Sequence, residues 1–312
     1  MSSGAAVMFI ETQEYSRFRE FCDACRRDRY IGLCYGAAGV GKTVSARYYT
    51  NPKKRLPPRS WPSEGHLVKG MTNQVVLYTP SVVNSPGQIA RDLGGCRSTF
   101  STPLLYRIEQ EEKPKLKELQ ENMFVKGKAE SCNGVIAEDE RGREFYRERD
   151  AYFAAYKQYR ASRLEIREAP MLVVIDEADR LKMGSLEMVR AIFDQGGTGV
   201  VLIGMPGLEK RLARYAQLYS RVGFVHEFQS LAEKEVRSLL SQGWKPPGVV
   251  LPSDGVSNKE ALAAILRITD GNFRLLERLL TQIARVLTIN NLPQVTPAVV
   301  EVARESLVIG TA

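Results

Sequence analysis

The sequence predicts an α/β fold: a doubly wound parallel sheet with a small C-terminal all-helical region and a charged helical insertion. Three observations carry that expectation. The apolar run Ile31-Gly32-Leu33-Cys34-Tyr35 passes into a glycine-rich turn and then a helix-compatible stretch, Val44-Ser45-Ala46-Arg47-Tyr48-Tyr49. Met171-Leu172-Val173-Val174-Ile175 and Val200-Val201-Leu202-Ile203 are continuously apolar, as strands buried on both faces of a parallel sheet are. After Leu231 strand patterns stop and helical periodicity takes over.

The turn after the first strand reads Gly36-Ala37-Ala38-Gly39-Val40-Gly41-Lys42-Thr43, which is G-x-x-x-x-G-K-T between a predicted strand and a predicted helix. Glycines at 36, 39 and 41 let backbone N–H groups turn inward around a phosphate with no Cβ in the way. The helix that follows aims its unsatisfied N–H groups and positive dipole end at the same anion. Lys42 supplies a point charge for the β- and γ-phosphates of a nucleotide, and the Thr43 hydroxyl is a ligand for Mg²⁺. A chance glycine-rich turn would not be expected to match at every position and in both flanks.

Composition bounds the rest. With 312 residues, the chain makes one large or two moderate domains. No apolar run approaches the roughly 20 residues that span a bilayer, and the first residues lack a basic start followed by a long apolar segment, so a cytoplasmic protein without a membrane partner is expected. A net charge of +8 is compatible with a polyanionic partner and equally with solvated surface. Cys22-x-x-Cys25 stands alone, and the other cysteines, with His66 and His226, have no zinc-ligand spacing, so reduced thiols are expected.

In chain order, Val7 to Ile10 reads as extended, and Tyr15, Phe18, Phe21 and Cys22 recur at helical spacing ahead of the basic cluster Arg26-Arg27-Asp28-Arg29. Basic residues in a last helical turn suit the dipole and need no nucleic acid to explain them. The run from Pro52 to Pro62 is too proline-rich for a helix or central strand; Lys53, Lys54 and Arg55 make it either a phosphate-contacting arm or a solvated loop. Val75 to Thr79 is the next strand. Residues 98–169 are highly charged with mixed signs and form an inserted helical region, read as a long hairpin or flexible arm. Its aromatics, Phe145, Tyr146, Tyr152, Phe153, Tyr156 and Tyr159, are expected in packing rather than base stacking.

Asp176-Glu177 follow the strand Met171 to Ile175, at the carboxyl end where ligands bind in open α/β sheets. Burying two carboxylates costs free energy unless a partner is present, and nucleotide-bound Mg²⁺ is one. This is a Walker B element: Asp176 holds the Mg²⁺ shell and Glu177 polarises the attacking water. A helix around Leu186, Val189, Ile192 and Phe193, a strand at Val200 to Gly204, a helix with Leu208, Leu212 and Tyr215, and a strand at Phe224 to Phe228 complete the alternation. Helices are then predicted at Ala232 to Gln242, at Asn258 to Ile268 with Ser257 and Glu260 as a capping box, at Asn272 to Leu287, and after Thr296-Pro297. The domain division expected is 1–230 for the nucleotide-binding domain and 231–312 for a helical lid.

These pieces, in this order, resemble the AAA+ ATPases, P-loop NTPases with a helical lid. Within them the chain is similar to the transposition regulators typified by phage Mu B protein, TnsC and TniB. The resemblance rests on Phe9-Ile10-Glu11-Thr12, on the stretch from Val174 to Leu181, on Leu218-Tyr219-Ser220-Arg221-Val222, and on Gly271-Asn272-Phe273-Arg274. It implies that Arg221 is an arginine finger for a neighbouring subunit's γ-phosphate, and that Arg274 is a sensor 2 arginine acting within its own subunit. It also implies an ATPase that assembles on duplex DNA as a homo-oligomeric filament or ring, recruits and stimulates a transposase, and is dismantled by hydrolysis. DNA contact is expected at Lys53, Lys54, Arg55 and Arg97. One departure stands out: sensor 1 is usually polar, and here Gly204-Met205-Pro206 occupies that position, so another residue serves or hydrolysis is slow. Two other readings stay open. One is a signalling or scaffold ATPase with protein partners, using the insertion as a docking arm. The other is a helicase, since residues 176–179 spell a DEAD box, although one sheet with a small lid leaves no second motor core.

Overall fold

The computed structural model describes residues 9–51, 66–70, 74–132, 135–136, 140–242, 244, 246, 248–251 and 256–307. It divides into two compact units, residues 1–89 with 172–312, and residues 90–171. In chain order the elements are α1 (Gln13–Asp28), β1 (Ile31–Tyr35), α2 (Lys42–Thr50), β2 (His66–Gly70), β3 (Val75–Thr79) and α3 (Pro86–Gly94). The insertion follows as α4 (Cys96–Glu130), β4 (Ser131–Cys132), β5 (Val135–Ile136) and α5 (Glu140–Glu168). Then come β6 (Met171–Ile175), a 3-10 turn at Ala178–Arg180, α6 (Met183–Asp194), β7 (Thr198–Gly204), α7 (Leu208–Ala213), α8 (Ala216–Tyr219) and β8 (Val222–Glu227). Helices α9 (Glu233–Ser241), α10 (Val256–Thr269), α11 (Phe273–Ile289) and α12 (Pro297–Glu305) close the described chain.

The main sheet has the order β2-β3-β6-β7-β1-β8. Five strands are parallel, as the apolar runs predict, and β2 adds an antiparallel edge against β3. The sequence reading missed β2 because His66-Leu67-Val68-Lys69-Gly70 lacks a strand's apolar signature, and polar edges are how sheets discourage further pairing. Strands β6 and β7 are buried along their whole length. Helix α1 lays Phe18, Cys22 and Cys25 into the core beneath them; Thr12 caps it by accepting from the Tyr15 N–H at 3.1 Å. Cys22, Cys25, Cys34 and Cys96 are buried free thiols, and burial pushes Cys25 up to about 12.

The C-terminal helices build a second core. Leu276, Leu279, Leu280, Ile283 and Leu287 line one face of α11 and meet Val236, Leu240, Ile265 and Val300. Truncating one such leucine to alanine costs about 2–5 kcal/mol. The predicted cap at Thr296 is formed, accepting from the N–H three residues on; Asn272, expected inside the helix, caps α11 in the same way. Helix α10 starts at Val256, so Ser257, expected to open the helix as part of a capping box, lies within it.

In the other unit, α4 and α5 form a helical hairpin closed by the short β4–β5 pair. Residues 145, 148, 152, 155, 159, 162 and 166 of α5 are buried or partly buried and repeat at heptad spacing, which marks the seam, with 149 and 163 partly buried beside it. The expectation for the aromatics is therefore corrected in part. Tyr159 is buried, while Tyr146, Phe153 and Tyr156 point away from the seam and are exposed. A two-helix hairpin has one shared face, so residues outside it have nothing to pack on. Arg149 lies over the Tyr146 ring at 4.7 Å.

Candidate nucleotide-binding site

The loop between β1 and α2 is pinned at its start. A Cβ on Gly36 would come 2.3 Å from the Phe228 carbonyl, and the Phe228 N–H donates to the Tyr35 carbonyl at 2.7 Å. Gly39 (φ 85°) and Gly41 (φ 114°) both take left-handed backbone, which glycine adopts without a Cβ penalty. Val40 between them is buried in the core and anchors the loop. Gly41 is also the N-cap of α2, so the first N–H groups of that helix face the loop. The Lys42 ammonium donates to the carbonyls of Gly36 and Ala37 at 2.6 and 2.8 Å. Burial lowers its pKa, opposed by the nearby carboxylate of Asp176.

Asp176, at the end of β6, is 3 % exposed. Burial raises its pKa, while hydrogen bonds from the Thr43 hydroxyl and the Glu177 N–H pull the other way. A buried carboxylate beside a hydroxyl at a helix N-terminus is a hard-oxygen pair of the kind Mg²⁺ takes, so these residues fit that ion. Glu177 follows in left-handed backbone (φ 52°) and forms an ion pair with Arg180. Arg47 lies one helical turn beyond Thr43 and is half-buried; burial lowers its pKa against the charges of Asp176 and Glu177.

The departure at the sensor 1 position has a structural reason. The Met205 N–H donates to Asp179 Oδ2 at 2.8 Å, and a Cβ on Gly204 would lie 2.5 Å from that same oxygen. The strand end therefore serves Asp179 through its main chain, and the Met205 side chain is exposed.

The helical region reaches the loop directly. The Arg274 N–H donates to the Gly39 carbonyl at 3.0 Å, and the Asn272 side-chain amide donates to the Ala38 carbonyl at 2.8 Å. Gly271 (φ 66°) makes the approach possible, since its Cβ would meet the Leu231 carbonyl at 2.0 Å. At the other end of the first strand, the Ile31 N–H donates to the Arg221 carbonyl. The Arg221 guanidinium forks onto Asp194, with Nε–Oδ1 at 2.6 Å and Nη2–Oδ2 at 2.9 Å. Phe9 stacks on Tyr48 at 3.8 Å, and Ile10 packs on the second core, so this short run touches both cores.

The structure thus brings Gly36 to Thr43, Asp176, Glu177 and Arg274 to one end of the sheet, and leaves Arg221 at the other. Lys53, Lys54 and Arg55 lie outside the described residues. Arg97 donates to the Arg167 carbonyl at the base of the hairpin, and its Nη1 is buried without a hydrogen-bond partner. Sequence reasoning missed Asp179, Arg180 and the amide of Asn272 as parts of the site. The spacing of Arg180 three residues after Glu177 was the available signal.

A phosphate loop after β1, with acidic residues ending the buried strand β6 one strand removed across β7, defines a P-loop nucleotide-binding fold of the AAA+ type. A family model described as "AAA domain" matches residues 25–212, more than half of the 312-residue chain, and the chain belongs to that family. It is 36% identical over 305 residues to a Staphylococcus aureus protein described as "Potential ATP-binding protein", covering 97% of each. Among solved structures it is similar to the Thermotoga maritima RuvB Holliday junction branch migration motor, at 14% identity and TM-score 0.51, covering 95% of this chain and 70% of that one. The Aeropyrum pernix ORC2 protein, solved as ADPNP–ADP complexes, is similar at 13% identity and TM-score 0.51, covering 99% and 72%. At these identities the two structures speak for the fold alone. No helix among the described residues is long and apolar enough to cross a membrane.

Proposed function

We propose that this chain is a Mg²⁺-dependent ATPase that assembles on duplex DNA in its ATP state and disassembles on hydrolysis. The observation that carries the reading is the junction of lid and phosphate loop. The Arg274 main chain bonds to Gly39, one residue from where a phosphate would be wrapped, so lid position and nucleotide occupancy are coupled. In this reading residues 1–230 are the nucleotide-binding domain and 231–312 the lid. Lys42 holds the β- and γ-phosphates, Arg274 reaches the γ-phosphate from the lid, and Glu177 orients and polarises the attacking water. Thr43 and Asp176 hold Mg²⁺, which when bound neutralises phosphate charge. Arg221 acts in a neighbouring subunit, so the working form is a homo-oligomer.

DNA as the partner is supported by the +8 net charge and by the fold shared with a branch migration motor. A transposase as the protein that the assembly recruits and stimulates rests on the sequence resemblance to Mu B, TnsC and TniB. A second reading, an ATPase acting on protein partners, is favoured by one observation: Tyr146, Phe153, Tyr156 and Leu164 form an exposed stripe on α5. Binding to generic duplex DNA separates the two. With ATP and Mg²⁺ the chain should bind at low salt, lose affinity steeply as salt rises, and show little sequence preference. Absence of ATP-dependent DNA binding at any salt concentration would leave the protein-partner reading standing.

A further inference from the structure

We infer that Arg180 is a positioning residue: its guanidinium braces the Glu177 carboxylate against the Pro80 carbonyl, so the loop after β3 sets the aim of the water-polarising group. The inference rests on the reading of Glu177 given above. Four observations carry it. First, the 3-10 turn at Ala178–Arg180 is closed by the Arg180 N–H donating to the Glu177 carbonyl at 3.0 Å. Side chains three apart eclipse in such a turn, which stacks Arg180 over Glu177. Second, one arm of the guanidinium pairs with Glu177 Oε2 while the other donates to the Pro80 carbonyl at 3.0 Å. The planar fork holds its two donor nitrogens at a fixed spacing and orientation, whereas an ammonium donates from a single nitrogen. Third, the Arg180 main chain is fixed as well. Its carbonyl accepts from the Asn84 side-chain amide at 3.0 Å, and the Asn84 carbonyl oxygen accepts from the Ser185 hydroxyl at 2.7 Å, in a buried setting. Fourth, the Asn84 amide also donates to the Ser81 carbonyl at 3.0 Å, so residues 80–84 move with this network.

An ordinary surface ion pair is held by two mobile side chains and contributes little. Here the arginine is held at its tip by a main-chain carbonyl and at its root by a buried asparagine. Glu177 sits in left-handed backbone, where a non-glycine residue is unfavourable, and has three side-chain torsions of its own. Without a brace its carboxylate is free to sample several orientations about those torsions. Met205 gives no polar side chain at the neighbouring strand end, so Glu177 has no second orienting group from β7.

The test is a double-mutant cycle on the full chain, with ATP turnover read in steady state and in single-turnover mode, and nucleotide affinity read with a fluorescent ATP analogue. Arg180→Ala should lower kcat by about tenfold, because misaimed catalytic groups lose rate steeply. KM and nucleotide affinity should stay within about twofold, since the phosphate contacts are untouched. Arg180→Lys should fail to rescue, because a single nitrogen lacks the spacing between the two guanidinium nitrogens that reach Glu177 and Pro80. Asn84→Ala should give the same split of kcat from KM at about two- to fivefold, acting one bond further away. In the Glu177→Gln background, Arg180→Ala should add less than about twofold, since the group it aims is already disabled. If Glu177→Gln turns over like wild type, the assignment of Glu177 fails and this inference falls with it. If Glu177→Gln is slow but Arg180→Ala is not, or if its effect persists in full in the Gln background, Arg180 does not act through Glu177. Should Arg180→Ala melt too low to assay, Arg180→Lys carries the same cycle with the same outcomes.

Discussion

Arg274 and Arg221 belong to opposite ends of the same sheet, and they are held by different kinds of bond. Arg274 is tied by its main chain to Gly39, at the carboxyl end of β1. Arg221 is tied to the amino end of β1 through its carbonyl, and its guanidinium is taken up by Asp194. The five residues of β1 separate the two ends by about 16 Å. A main-chain tie leaves the identity of the side chain free to serve a ligand. A side-chain fork must be broken or shared before the arginine can touch anything else. One arginine is thus held through its main chain and the other through its side chain.

The largest expected effect tests the Arg221 end. Arg221→Ala should bind ATP normally yet lose on the order of 10³-fold in turnover, the scale of an arginine finger. Mixed with Lys42→Ala, which should not bind ATP, it should regain activity, since each chain supplies what the other lacks at a shared interface. Silence at every mixing ratio, with both variants folded and associated, would remove the role in trans.

A smaller effect tests the Arg274 end. Gly39→Ala places a Cβ 2.7 Å from both the Arg274 Cβ and Asn272 Oδ1, on backbone that alanine disfavours by about 1–2 kcal/mol. It should lower the melting temperature by roughly 2–4 °C and weaken nucleotide binding about tenfold as the lid is displaced. An unchanged melt together with unchanged affinity would mean that the lid contact is incidental. The smallest effect tests the fork. Asp194→Asn removes the charge but keeps hydrogen-bonding capacity, and the pair is exposed, so the melting temperature should barely move. Turnover should rise up to about fivefold if the fork withholds Arg221. A fall would mean that Asp194 presents the arginine to its target.

The sequence made the Arg274 end legible and the Arg221 end only half so. Gly36, Gly39, Gly41, Lys42 and Thr43 are fixed by local chemistry, and buried strands such as β6 announce themselves by unbroken apolar runs. Asn272, expected as the first helical residue, is instead the N-cap of α11, although capping is a local rule. Its second bond, to the Ala38 carbonyl, spans most of the chain and no local pattern encodes it. The same holds for Arg221 and Asp194, which meet only because α6 and β8 are brought together. Edge strand β2 was missed because edges carry polar residues. Helix α4 contains Pro103 and Pro114 without being ended by them, so tertiary packing overrode a local stop signal there.

The bond from the Arg274 N–H to the Gly39 carbonyl also makes one amide a clock. Leu275 and Leu276, the next two N–H groups of α11, are satisfied within the helix by Asn272. Only the Arg274 amide is shielded by the phosphate loop itself, so deuterium can replace its proton only when loop and lid part. Its exchange rate therefore meters how often the lid lifts, separately from the breathing of the helix that carries it.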